Sequence, residues 1–244
     1  EGEQDKAEAL LQKYPALGLY SANVTDLSKR TFKSITALQY AIWSLDWHMW
    51  TMLLNYIPPK NVAEQIAQLE QGLWVPQHGV TVNWENLIQA LNQYVSEVRA
   101  GKSYDIYKKI WIKQVGGAQL LLPAHVINEY CHPTRSFHPT PDFSQHEATG
   151  AWRGRTTDEG EWFSTKYGGG QLGEGFAVYR GDASRACAYD SIQYLDYTGA
   201  ERDSAAVAAL FKTRASQRAA LVAQYLPKQE LARRVPQGLN AGRS

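Results

Sequence analysis

His125 and Glu129 stand four residues apart in AHVINEY. In a helix that spacing puts an imidazole and a carboxylate on one face, within mutual reach. A carboxylate that orients an imidazole makes a general base, and the same two groups can share a metal ion. The plainer reading is a half-buried histidine hydrogen-bonded to its neighbour's acid. Cys131 follows closely, with His132, His138 and His146 beyond it. A thiol becomes a nucleophile when an imidazole lowers its pKa and the sulfur is exposed. Adjacent residues at a helix end point in different directions, so His132 is poorly placed for that task, and His138 or His146 needs the loop to fold back. A buried structural cysteine is the plainer account of Cys131. No Cys-x-x-Cys or paired-histidine spacing supports zinc, and no metal site is assigned.

A third set is Gly168, Gly170, Gly173 and Gly175, in the run GGGQLGEGFAVYRG. The run contains G-x-G-x-x-G, and glycines let backbone amides approach phosphates closely. A kinase also needs a His-Arg-Asp loop and an Asp-Phe-Gly element, which the chain lacks, and Arg180 stands near where a strand lysine belongs. A dinucleotide fold needs a helix after the glycines, whereas FAVYR reads as a strand. The run is therefore read first as a hairpin tip. In the alternative it covers a nucleotide, with ATP and Mg as cofactors and Arg135, Arg153 or Arg155 as charge partners.

The elements that must position these groups are mostly helical. Ser34 to Tyr56 holds three of the eight tryptophans and no lysine or arginine. Ile35, Leu38, Ile42, Leu45, Met49, Met52 and Tyr56 form one apolar stripe, and Tyr40, Trp43, Trp47, Trp50 and Leu54 a second. A helix apolar on two faces must be covered on both, which predicts one continuous central helix with Ser34 as N-cap and Pro58-Pro59 as its stop. Asp46 and His48 at its midpoint exclude a bilayer span. Further helices are expected at Gln4 to Tyr14, from Asn61 to Gly72, from Asn83 to Gly101, at Tyr104 to Val115 before Gly116-Gly117, and at Leu120 to Tyr130. After Cys131 the composition turns to Pro, Gly, Thr and Ser, with one hairpin expected from Glu161 to Tyr167 and Phe176 to Arg180 as the chain's β structure. Helix returns at Ser184 to Tyr194 and from Asp203, as cap, to Leu226.

The fold class is thus mainly α: a helical bundle around a buried central helix, with a small β-hairpin in the second half. Residues 1–131 form the bundle core, 132–182 an irregular segment, 183–227 the closing helices and 228–244 a loosely held basic tail. The chain carries 25 basic and 24 acidic residues for a net charge of +1, which argues against a general nucleic-acid binder. Two distant cysteines and no secretory leader favour a reducing compartment, and the first residues read as a boundary inside a longer protein.

Thr36, Leu38, Ala41, Leu53 and Leu54 fall where an ankyrin repeat places its threonine, leucines and alanine, although Leu45 occupies its glycine turn and no second copy recurs near 33 residues. More broadly, RTFKSITALQYAIWSLDWHMW, KQVGGAQLLLPAHVINEYCHP and RSFHPTPDF resemble a domain that recurs in Legionella effectors delivered by the Dot/Icm type IV secretion system, over roughly residues 25 to 182. That resemblance implies a secreted bacterial protein acting in host cytoplasm on a host protein, and no cofactor is assigned to this reading. HVINE also resembles the His-x-x-x-Glu element of actin-dependent AMPylase effectors, which pair it with an upstream serine, here Ser34 or Ser44. It implies the alternative, a nucleotide-dependent transferase activated by a host protein. The two readings separate on geometry. A pocket shared by His125, Glu129 and the glycine run favours the transferase, and a His125 buried against the central helix favours the binding domain.

Overall fold

The computed structural model describes residues 3–26, 28–72, 79–126, 139–144, 177–179, 187–189 and 197–226. The chain is mainly helical with a small antiparallel β pair in its second half, as the sequence predicts. α1 (Gln4–Lys13) leads through a 3-10 turn (Pro15–Leu19) into β1 (Ser21–Thr25) and β2 (Thr31–Thr36), an antiparallel pair. α2 (Ala37–Trp43), α3 (Trp47–Leu53), α4 (Pro59–Gln71) and α5 (Glu85–Arg99) follow. One further helical run comprises α6 (Tyr104–Lys109), a π-helical turn (Ile110–Gly116) and α7 (Gly117–Leu120). β3 (Ala177–Tyr179) pairs with β4 (Cys187–Tyr189), and α8 (Tyr197–Tyr225) packs most extensively on α5.

The continuous central helix is not formed. Ser34 lies within β2, Thr36 caps α2, and the chain breaks between α2 and α3 at Leu45, which takes a left-handed φ of 62°. Ser44 caps the end of α2, and Asp46 opens α3 by accepting the Met49 amide at 3.1 Å. The Leu45 side chain is nevertheless buried, so the apolar stripe survives the turn. Around it pack Phe32, Leu38, Ile42, Trp43 and Trp50, all nearly inaccessible to solvent. Trp47 is only partly buried.

The β1–β2 pair is a second correction, because the sequence reading placed β structure only in the second half. Its turn is fixed by Asp26, which accepts the Arg30 amide at 2.9 Å and the Arg30 Nε at 2.7 Å. The guanidinium then stacks 4.8 Å from the Trp43 ring, and Phe32 meets Tyr40 and Trp43 edge-on at 5.3 and 4.8 Å. The hairpin's inner face is thereby held to α2 by aromatic burial.

α2 is pinned to α4 by side-chain amides. Thr36 and Gln39 form a reciprocal capping box. Gln39 Nε2 donates to the Gln65 carbonyl at 3.1 Å and to Gln68 at 2.9 Å, while the Thr36 hydroxyl donates to Gln65 Oε1. Gln65 reaches the carbonyl of Gly18, where a Cβ would sit 2.8 Å from Ile57, so only glycine allows the approach.

Other expectations shift by local physics. α4 starts at Pro59 rather than Asn61, proline being well suited to the first helical position, and it ends at Gly72 in the left-handed C-cap the sequence indicates. Asn83 does accept the Glu85 amide at 2.7 Å. Gly116 and Gly117 do not interrupt the α6–α7 run, since both keep right-handed helical angles within it. The helix expected over Leu120 to Tyr130 begins only after a break at Leu121–Pro123, with the turn at 124–126. Asp203 is a fully buried interior residue of α8 rather than its cap. β3 falls inside the predicted Phe176 to Arg180 strand, but it pairs with Cys187–Tyr189, which the sequence reading assigned to a helix. Glu161 to Tyr167 lies outside the described residues.

Candidate functional site

His125 sits in the short helical turn that follows Pro123. Its ring is buried, and Nδ1 faces Asp46 Oδ2 at 3.8 Å, with side-chain exposures of 8% and 7%. That distance exceeds a hydrogen bond. Asp46 has two tasks at once, capping α3 and facing His125. Leu122 and Val126 on either side of the turn are also buried, which carries His125 into the interior rather than toward solvent.

A second polar contact lies two residues along α3. Arg214, 2% exposed, reaches in from α8 and donates through Nη1 to the Phe143 carbonyl at 3.1 Å and to Gln217 at 3.0 Å. Its Nη2 lies 3.3 Å from His48 Nε2, and its guanidinium carbon lies 5.5 Å from the centre of the Trp47 ring. Arginine has no acceptor, so His48 Nε2 must accept and the His48 proton resides on Nδ1. Asp46 at the N-cap and His48 in the first turn thus meet different neighbours, His125 and Arg214. Both tie the start of α3 to neighbouring segments. Sequence reading singled out His125 but passed over Arg214 and took Asp46 and His48 only as evidence against a membrane span; a buried arginine in an alanine-rich helix carries no local mark.

The remaining sequence candidates fall in two groups. Glu129, Cys131, His132, His138, His146, Arg135, Arg153 and Arg155 lie outside the described residues, as do Gly168, Gly170, Gly173 and Gly175. The two serines considered upstream are described. Ser34 is exposed in β2, whereas Ser44 is buried and donates to the Ala41 carbonyl at 3.2 Å. Among the described residues, no three His, Cys, Asp or Glu side chains come together as metal ligands would. No helix of the described residues is long and apolar enough to cross a membrane.

Clefts open elsewhere on the surface. One of about 590 Å³ runs between α5 and α8, bordered by Asn92, Ser96, Ser204 and the Arg99–Glu201 ion pair at 2.6 Å. Another, about 420 Å³, lies between the β1–β2 pair and α4 and is lined by Leu19, Ser21, Ser34, Glu64 and Gln68. His125 borders neither.

The chain matches the CBUA0006 C-terminal domain family over residues 86–225, more than half its length. It belongs to that family. The matched region starts in α5 and ends with α8, and so contains His125 and Arg214. The uncharacterised protein CBUA0006 of Coxiella burnetii is 36% identical over 211 residues, covering 74% of this chain and 60% of that protein. This chain therefore spans less than two thirds of its relative's length. No solved structure matches.

Proposed function

We propose that this chain is a binding domain of a translocated bacterial effector, acting in the host cytoplasm on a host protein. The carrying observation is the burial of His125 against Asp46. A general base must come within hydrogen-bond reach of the proton it removes, and a ring enclosed beside the capping residue of α3 presents nothing to a substrate. The acid facing it, Asp46, also accepts the Met49 amide at the start of α3, and the nearby buried Arg214 is held by a carbonyl, a carboxamide and the His48 imidazole. The resemblance to Dot/Icm effectors supports delivery into a host cell, and Coxiella, the source of the related protein, also has a Dot/Icm system.

The test begins with the full chain immobilised in host-cell lysate and continues with each captured protein in purified form. Saturable binding to one purified host protein, without ATP consumption by the pair, is the expected result. ATP turnover that disappears in His125→Ala while the thermal transition persists would overturn this reading in favour of the His125 and Glu129 transferase. Absence of any saturable host partner would overturn it as well.

A further inference from the structure

We infer that the cleft between the β1–β2 pair and α4 is a binding site for a neutral sugar. The inference goes beyond the binding-domain reading above and does not depend on it. α4 has two working faces. Val62, Ile66 and Leu69 recur at core spacing and are fully buried, whereas Asn61, Glu64, Gln65 and Gln68, at i, i+3, i+4 and i+7, line the cleft. Ser21 of β1 and Ser34 of β2 supply hydroxyls to the same lining.

The floor of the cleft is fixed by its own hydrogen bonds. Thr36, Gln39 and Gln65 are all buried. Gln39 spends both Nε2 protons, on the Gln65 carbonyl at 3.1 Å and on Gln68 Oε1 at 2.9 Å, and its Oε1 accepts the Thr36 amide at 3.0 Å. A floor so engaged holds its shape and orients the Gln68 carboxamide. The rim is open by contrast. Among the described residues the Ser21 and Ser34 hydroxyls, the Asn61 carboxamide and the Gln68 amino group make no hydrogen bond. Glu64 has Lys60 at 4.0 Å, beyond hydrogen-bond length, and both side chains are largely exposed.

Ser34 reaches the cleft through backbone strain. The register shifts between Ala22 and Val24, so that Lys33 and Ser34 stand opposite Asn23, and Ser34 holds a left-handed φ of 53° in that bulge. The extra residue lets Phe32 and Ile35 both enter the core while Ser34 between them lines the cleft. Bulges re-aim side chains beside functional sites, and strained non-glycine residues concentrate there.

The ligand's chemistry follows from this inventory. Hydroxyls and carboxamides each donate and accept, as sugar hydroxyls do, and the Glu64 carboxylate can accept from two neighbouring hydroxyls at once. Among the described residues of the lining, Leu19 is the single apolar one and none is lysine or arginine. A phosphate or carboxylate ligand would lack its usual cationic partner there, and a hydrocarbon ligand would lack a wall.

The probes are glucose, galactose, mannose, N-acetylglucosamine, maltose and lactose, each titrated into the full chain and followed by backbone amide chemical shifts. At least one should shift the Ser21, Ser34, Asn61 and Gln68 amides saturably. Asn61→Ala and Glu64→Ala should each weaken that binding by roughly tenfold or more, with thermal transitions near the wild type, while Ser96→Ala in the α5–α8 cleft should leave it unchanged. The methyl glycoside of the binding sugar separates two sources: retained binding assigns the sugar unit of a glycoconjugate, and lost binding a free sugar. No saturable shift with any of the six, or shifts confined to other surfaces, would overturn the inference. Saturable binding of putrescine at this cleft in place of the sugars would also overturn it, assigning Glu64 to a cation. Either failure leaves the binding-domain reading standing, because capture of a host protein is measured separately.

Discussion

The turn between α2 and α3 and the outer edge of β1 dispose of polar and apolar groups in opposite ways. At the turn, Asp46, His125 and Arg214 are buried and His48 partly so, and they engage an amide, a carbonyl and, in pairs, one another, among fully buried Trp43, Trp50 and Leu45. At β1, the strand carries no charge at all, and Leu17, Leu19 and Tyr20 just before it are exposed. Titratable side chains attract attention first because they suggest chemistry. Here they join elements of the fold.

The largest effect should come from the apolar wall of the turn. Trp43 lies against Phe32 and Arg30, is 1% exposed, and has its carbonyl taken by Val82 and Thr81. Trp43→Ala is expected to cost about 3 to 5 kcal/mol, read from denaturant midpoints. Trp47, only partly buried, should cost clearly less. Equal losses at the two positions would mean that the second aromatic stripe is packed throughout.

Asp46 should come next. Asp46→Ala removes an N-cap and the acid facing His125, for about 1 to 3 kcal/mol in all. Asp46→Asn keeps an oxygen for the Met49 amide and removes only the charge. If Asp46→Asn is as damaging as Asp46→Ala, the contact with His125 dominates; if it is nearly silent, Asp46 matters as a cap.

How far these features could be read in the sequence depends on whether they leave a local trace. α4 and α5 carry regular apolar spacing and end at Gly72 and before Gly101, both with positive φ, so periodicity and punctuation agree. The Leu45 break leaves no such trace. Leucine in a left-handed turn keeps the apolar stripe in phase, and the stripe then reads as one helix. β1 and β2 escaped because their turn contains neither Asn-Gly nor Asp-Gly and because Ser34 breaks the alternation that marks a strand. His125 was visible as a residue, but its neighbour is Asp46, far away in sequence, and only the tertiary fold shows that the pair is buried.

Tyr40 offers a pH test of the interior side. Burial lifts its hydroxyl above the ordinary tyrosine range, with Asp26 and Asp46 adding to the shift and Arg30 opposing it. The folded chain then keeps this proton above pH 10, where the unfolded chain releases it, so the unfolded state binds fewer protons and stability falls as pH rises. Tyr40→Phe removes that contribution. Urea midpoints taken from pH 8 to about 11 should show the wild type losing ground to Tyr40→Phe as pH increases. A gap between the two proteins that stays constant with pH would count against burial of the phenol.

The smallest effect should have the opposite sign. Ser34 is exposed and holds φ at 53°, a conformation that costs an L-residue about 1 to 2 kcal/mol. Glycine removes that cost but gives back about 0.5 to 1 kcal/mol through the greater freedom of the unfolded chain. Ser34→Gly should therefore stabilise the protein by up to about 1.5 kcal/mol, in contrast to every interior substitution above. A loss of stability in Ser34→Gly would show that the serine side chain holds the bulge.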